Sequence, residues 1–105
     1  MATLDGSVLS RFRAALDALY GERLERAVLY GSRARGDARP DSDYDVAVFL
    51  TQMDDLWVES GRLADLETAL LHETGAVIHS LPLRAGSDQE RTLFMHEVRT
   101  DGITL

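Results

Sequence analysis

The sequence predicts an α/β (α+β) domain, a small mixed β-sheet of three to four strands covered by helices. Three observations carry this expectation. Segments of helical period and short apolar runs interleave in the order helix, strand, short helix, strand, helix, strand, helix, and such interleaving builds a helix-covered sheet. The run Asp43 to Leu50 alternates with a period of two, as a strand with two distinct faces must. A chain of 105 residues, 45% of them hydrophobic, buries one small core, so residues 1–105 are expected to form a single domain.

The elements follow in order. A first helix is expected from about Val8 to Tyr20, with Ser7 as its cap, Gly21 as its stop, and Phe12, Leu16 and Leu19 on one face. A strand spans Arg26 to Tyr30. A short helix starts at Ser32 and fades by Ala38, before Pro40. The second strand, Asp43 to Leu50, sends Asp43, Asp45, Ala47 and Phe49 one way and Tyr44, Val46, Val48 and Leu50 the other. A long helix covers about Asp54 to Thr74, with acids at its positive end, a stripe of Leu56, Leu63, Leu66 and Leu70, and Gly75 at its C-terminus. Gly61 weakens the case for one unbroken helix. The third strand is Ala76 to Leu81, ended by Pro82. The last helix opens on the capping box Ser87-Asp88-Gln89-Glu90, carries Leu93, Phe94 and Val98, and stops near Gly102.

Composition narrows the function. No segment approaches the roughly 18 apolar residues of a membrane span, and the N-terminal residues lack the pattern of a signal peptide, so a cytoplasmic protein is expected. The absence of cysteine excludes disulfides and thiolate metal sites. A net charge of −7 argues against a general nucleic-acid binder. All 11 basic residues are arginine, so no step can use a lysine. Three of them, Arg33, Arg35 and Arg39, make a local positive island suited to phosphate oxygens.

That island lies inside the most informative stretch of the chain. Gly31-Ser32 is followed by ten residues and then Asp43-Tyr44-Asp45, with apolar strands on both sides. A glycine turn brings backbone N–H groups close to phosphates. Two aspartates two apart on a strand leave the same face, with Cα atoms about 6.5 Å apart, and can hold a hard divalent cation, Mg²⁺ or alternatively Mn²⁺. Gly31, Ser32, Arg33 and Arg35 are therefore candidate nucleotide-binding residues, and Asp43 and Asp45 candidate metal ligands and catalytic residues. The chemistry expected is attack of a hydroxyl on the α-phosphorus of ATP, with pyrophosphate leaving.

This stretch resembles the signature of the minimal nucleotidyltransferase branch of the DNA polymerase β-like superfamily. The likeness includes Gly31-Ser32, the ten-residue spacer, Asp43-x-Asp45, and the ending Glu97 to Ile103, so it covers nearly the whole chain. It implies the nucleotidyltransferase fold, a serine at the phosphates (Ser32) and paired aspartates on Mg²⁺ (Asp43, Asp45). It also implies a partner, because members of the branch often act as antitoxins to helical HEPN-type toxins, some by adding AMP to a toxin tyrosine.

The third strand departs from the family's pattern. Where relatives offer a third carboxylate, Ala76 to Leu81 has none, and His79 stands at that position. Three readings of His79 follow: a ligand for Mn²⁺ or Zn²⁺, a general base toward the attacking hydroxyl, or an ordinary strand histidine. Two functions follow in turn: an adenylyltransferase acting on a protein hydroxyl, or an antitoxin that works by binding alone. Transfer to a small molecule such as an aminoglycoside is a weaker third, since the chain lacks the extra helical domain of such enzymes. Trp57 is weighed as a partner anchor or a cover for the sheet edge. Association with itself or with a second chain is left open.

Overall fold

The computed structural model describes residues 6–105, with side chains from Val8 onward. Its elements are α1 (Gly6–Tyr20), β1 (Leu24–Tyr30), α2 (Ser32–Arg35), β2 (Tyr44–Leu50), α3 (Leu56–Thr74), β3 (Ile78–Arg84), α4 (Leu93–Asp101) and β4 (Ile103–Thr104). The four strands form one mixed sheet in the order β3-β2-β1-β4. β1 runs antiparallel to β2 and β4, and β2 parallel to β3. The parallel pair needs a long crossover, which α3 supplies. Among the described residues no helix is long and apolar enough to cross a membrane.

The alternation read in Asp43 to Leu50 separates two cores. Tyr44, Val46, Val48 and Leu50 join Ala27, Leu29 and Ile78 under α1 and α3. Ala47 and Phe49 join Val28 on the opposite face, under Met95 and Val98 of α4. Both aspartates belong to the α4 side. Tyr44 is buried away from them, as its place in the alternation requires.

α3 begins and ends on local chemistry. The Asp55 carboxylate accepts from the N–H groups of Trp57 (2.9 Å) and Val58 (3.2 Å). Gly75, left-handed at φ 76°, closes the helix with its N–H on the Leu71 carbonyl. Gly61 leaves the helix unbroken.

Several expectations are corrected. Leu19 is exposed, and Tyr20 takes its place beside Phe12 and Leu16, the i+4 position being the one that stays on the buried face. The cap expected of Ser7 concerns a side chain outside the described set, though the helix already includes that residue. In α3 the inward position of the first turn belongs to Glu59, while Leu56 is half exposed. Glu59 is tolerated there because Arg23 Nη2 lies 2.7 Å from its Oε2 and Arg62 Nη1 3.4 Å from its Oε1.

Pro82 does not end β3. It pairs with Val48 inside the strand, which is permitted because β3 is at the sheet's edge and needs no N–H on its outer side. The outer side is closed further by Glu67, whose carboxylate accepts from the Ser80 N–H at 2.9 Å.

The box at Ser87 does not start the last helix. Residues Ser87–Gln89 make one 3-10 turn, buried Asp88 pairs inward with Arg26, and Glu90 is extended. α4 starts instead at Leu93, capped by Thr92 Oγ1 on the Met95 N–H at 3.0 Å. The fourth strand that the fold class allowed is β4, whose position was not assigned from the sequence. It is two residues long, and Gly102 makes it reachable, since a Cβ there would collide with Val28 and the Val98 carbonyl.

The Arg23–Glu59 pair yields a stability prediction. Burial is the largest single influence and would push the Glu59 pKa up, but hydrogen bonds from Arg23 and Tyr20 and the charges of Arg23 and Arg62 together outweigh it, and the net direction is down. The pair's contribution is therefore present above the ordinary carboxylate range and is lost as pH falls through the depressed folded-state value. Arg23→Ala should cost about 3 kcal/mol at neutral pH, the low end for a broken buried pair because Arg62 remains. Urea denaturation at pH 7 and at pH 3 checks this, with the difference between the two proteins shrinking at the lower pH.

Candidate functional site

The site begins where β1 turns into α2. Gly31 sits at φ 77° and ψ −158°, a region open essentially only to glycine. The turn is crowded as well as strained, for a Cβ on Gly31 would lie 2.7 Å from Asp45 Oδ2. Glycine therefore does two things at once: it lets the backbone reverse, and it lets a carboxylate lie against it. The Gly31 carbonyl accepts from the Ala34 (3.1 Å) and Arg35 (3.0 Å) N–H groups. The N–H groups of Ser32 and Arg33 precede the first intrahelical bonds of α2. Gly36, at φ 84°, ends α2 earlier than the fade at Ala38 that was expected.

β2 and β3 bring the remaining groups in. Asp45 pairs in register with Tyr30 on β1 and with His79 on β3. Asp43 lies just ahead of β2, and its Oδ2 is 2.9 Å from His79 Nε2. One face of the sheet thus carries Asp43, Asp45 and His79 next to the Gly31 turn. Asp45 is half-buried, whereas Asp43 and His79 are open, with side chains 45% and 64% exposed.

The electrostatics show a site short of positive charge. Burial pushes the Asp45 pKa up; Asp43 and Glu97 push the same way, while His79 and Arg35 oppose them. Burial also raises the neighbouring Tyr30 hydroxyl to about 12, with help from Asp45 and Glu97. Two acids from α4 were not singled out from the sequence. Glu97 and Asp101 are one turn apart and meet Arg35, whose Nη1 is 3.2 Å from Glu97 Oε1 and 3.8 Å from Asp101 Oδ2. Their i, i+4 spacing was visible, but nothing local said that α4 would face α2.

The predicted arginines differ in placement. Arg35 stands on the aspartate side, held by α4 and by Asp37 at 3.2 Å. Arg33 stacks over the Tyr44 ring, 4.2 Å to its centroid, and gives Nη2 to the carbonyls of Ser42 (2.7 Å) and Pro40 (3.1 Å). This shapes the spacer loop, so a phosphate contact from Arg33 would use its remaining Nη1 or break these bonds. Arg39 is exposed; its N–H bonds Ser42 Oγ at 2.9 Å. His72 and His96 are exposed.

Two carboxylates on one face, next to a turn that a Cβ would fill, fit a cation that brings most of its own shell as water and phosphate oxygens. That is the habit of Mg²⁺. Among the described residues no group of three or more His, Asp or Glu side chains forms a cage for a metal ion. Asp43 and His79 face solvent. A hollow of about 450 Å³ lies elsewhere, between α1 and Leu105. A smaller one of about 190 Å³, lined by Thr68, Leu71, Val77 and His79, adjoins the site at His79.

Two outcomes follow from this geometry. Gly31→Ala should lower stability by about 1–3 kcal/mol through backbone strain and displace Asp45; a thermal melt unchanged from the parent protein would contradict it. For Asp45 the raised pKa means that its ionised form opposes folding, so stability is lost as pH rises through the folded-state value. Asp45→Asn should therefore raise Tm at pH 7, and a lower Tm would contradict that sign.

Comparison with known proteins agrees with the fold. The family described as polymerase beta, nucleotidyltransferase matches residues 18–105. No curated protein matches the chain. Among solved structures, a toxin–antitoxin with AMP-PNP superposes with TM-score 0.64 at 20% identity, covering 90% of this chain and 69% of the other. A mutant of the MntA–HpeT toxin–antitoxin gives TM-score 0.60 at 18% identity, covering 94% and 69%. At these identities the superpositions establish the fold alone. The sheet, the Gly31 turn and the family match together identify this chain as a member of the polymerase β nucleotidyltransferase family.

Proposed function

We propose that the chain transfers AMP from ATP to a hydroxyl of a protein partner, in the manner of an antitoxin acting on a helical HEPN-type toxin. The observation that carries this is the placement of Asp43 and Asp45 on one face beside a turn that only glycine can make. The similarity to toxin–antitoxin structures, one of them with AMP-PNP, supports the partner and the nucleotide.

The geometry supports the following roles. The Gly31 turn offers the Ser32 and Arg33 N–H groups and the Ser32 hydroxyl to the phosphates. Asp43 and Asp45 would hold Mg²⁺, or Mn²⁺ in its place. When bound, the ion neutralises phosphate charge and steadies the leaving pyrophosphate. Arg35 supplies a cation beside Asp45, within reach of an incoming anion that competes with Glu97 and Asp101. His79 Nε2 lies 2.9 Å from Asp43 Oδ2, and Nδ1 is the ring nitrogen that would take up a proton. In the transfer step the partner's hydroxyl oxygen bonds to the α-phosphorus, the bond to the bridging oxygen breaks, pyrophosphate departs, and the hydroxyl proton passes to His79 Nδ1.

One observation favours a second reading. The residue opposite Asp45 on β3 is a histidine and not a carboxylate, so the domain would bind its partner with a weakened or silent nucleotide site.

Intact mass spectrometry separates the two. The chain is incubated with ATP and Mg²⁺ or Mn²⁺, alone and with the purified product of the neighbouring gene. The proposal expects the partner to gain one or more AMP units, and expects no gain with the Asp43→Asn/Asp45→Asn variant. A stable complex with no mass gain would establish the binding-only reading.

A further inference from the structure

The outward face of α3 does not look like a helix that ends at solvent. Trp57 is 84% exposed and Leu71 44%. Between them Gly61, Ala64 and Thr68 are also exposed, and none of the five is charged. Their spacing is four, three, four, three, the spacing of a seam against another helix. It extends roughly 21 Å at 1.5 Å per residue. The first turn is inverted as well, since the acid Glu59 points inward and the indole points out. An exposed solvating helix would carry charge along this line.

The flanks say what would cover it. Asp54 precedes the seam and Asp65 runs beside it, both exposed, while the nearest arginine of α3, Arg62, is turned to Glu59. Two copies packed antiparallel about Ala64 would bring Asp65 against Asp65, on chains that each carry a net charge of −7. The complement is a helix with an apolar stripe and lysine or arginine on its flanks. The small residues Gly61 and Ala64 allow its backbone to come close. The seam also leads to the site, because Thr68 and Leu71 line the hollow that ends at His79.

We propose that this seam docks a basic-flanked helix of the protein partner and so places the partner's adjoining segment beside His79. The partner is the acceptor of the function proposed above, so this inference rests on that reading. Trp57 is the chain's single tryptophan, and 5-fluorotryptophan therefore gives one ¹⁹F resonance at the head of the seam. The labelled chain is titrated with the neighbouring gene's purified product, alongside an Ala64→Arg variant whose exposed position leaves folding intact. The proposal expects the resonance to shift on binding and Ala64→Arg to weaken the complex at least about tenfold. A complex that forms with the resonance unmoved and Ala64→Arg binding unimpaired would overturn the seam and leave the transfer reading standing. No complex at all would overturn both. A shift that depends on the chain's own concentration, without partner, would assign the seam to a second copy and overturn the basic-helix assignment.

Discussion

The contact between the Gly31 backbone and the Asp45 carboxylate is the constraint around which the molecule is arranged. It can exist only because residue 31 has no Cβ and adopts a conformation closed to other residues. It requires β1 and β2 to be antiparallel neighbours in a register that puts Tyr30 against Asp45. That register in turn requires the alternation of β2 to be right, since a slip of one residue would send the aspartates into the core beneath α1 and α3. The buried partners on each face, Val46 and Val48 on one and Ala47 and Phe49 on the other, hold the register in place. The fold thus stabilises a carboxylate position that is itself unfavourable, with Asp45 half-buried among other acids.

What α4 contributes is balance. Its Glu97 and Asp101 add negative charge where there is already an excess, yet they hold Arg35 over the same region. A guanidinium kept in this way is close to the aspartates without being bonded to them, and it has a ready exchange of anionic partners.

Much of this was legible in the chain, for reasons that differ from residue to residue. The placement of Gly31, Ser32, Asp43 and Asp45 was readable because it depends on local backbone and on strand period. The order of elements was readable because period switches along the sequence. Most of the misses are tertiary. Leu56 looked like core, because only the folded chain shows that Arg23 arrives from the turn before β1 to meet Glu59. Ser87 looked like a helix start until Asp88 was seen to be drawn inward by Arg26. Pro82 looked like a strand end because nothing local marks β3 as an edge. Glu97 and Asp101 showed their spacing but not that α4 would face α2, and Arg33 showed its charge but not its preference for the Tyr44 ring.

The central claim is that Asp43 and Asp45 form one metal-dependent nucleotide site. Calorimetric titration of ATP into the chain, with and without Mg²⁺, tests it most directly when repeated on Asp43→Asn/Asp45→Asn. The account predicts binding that needs the cation and disappears in the double variant while its fold is retained. Binding that survives the double variant unaltered, with the same cation dependence, would contradict it.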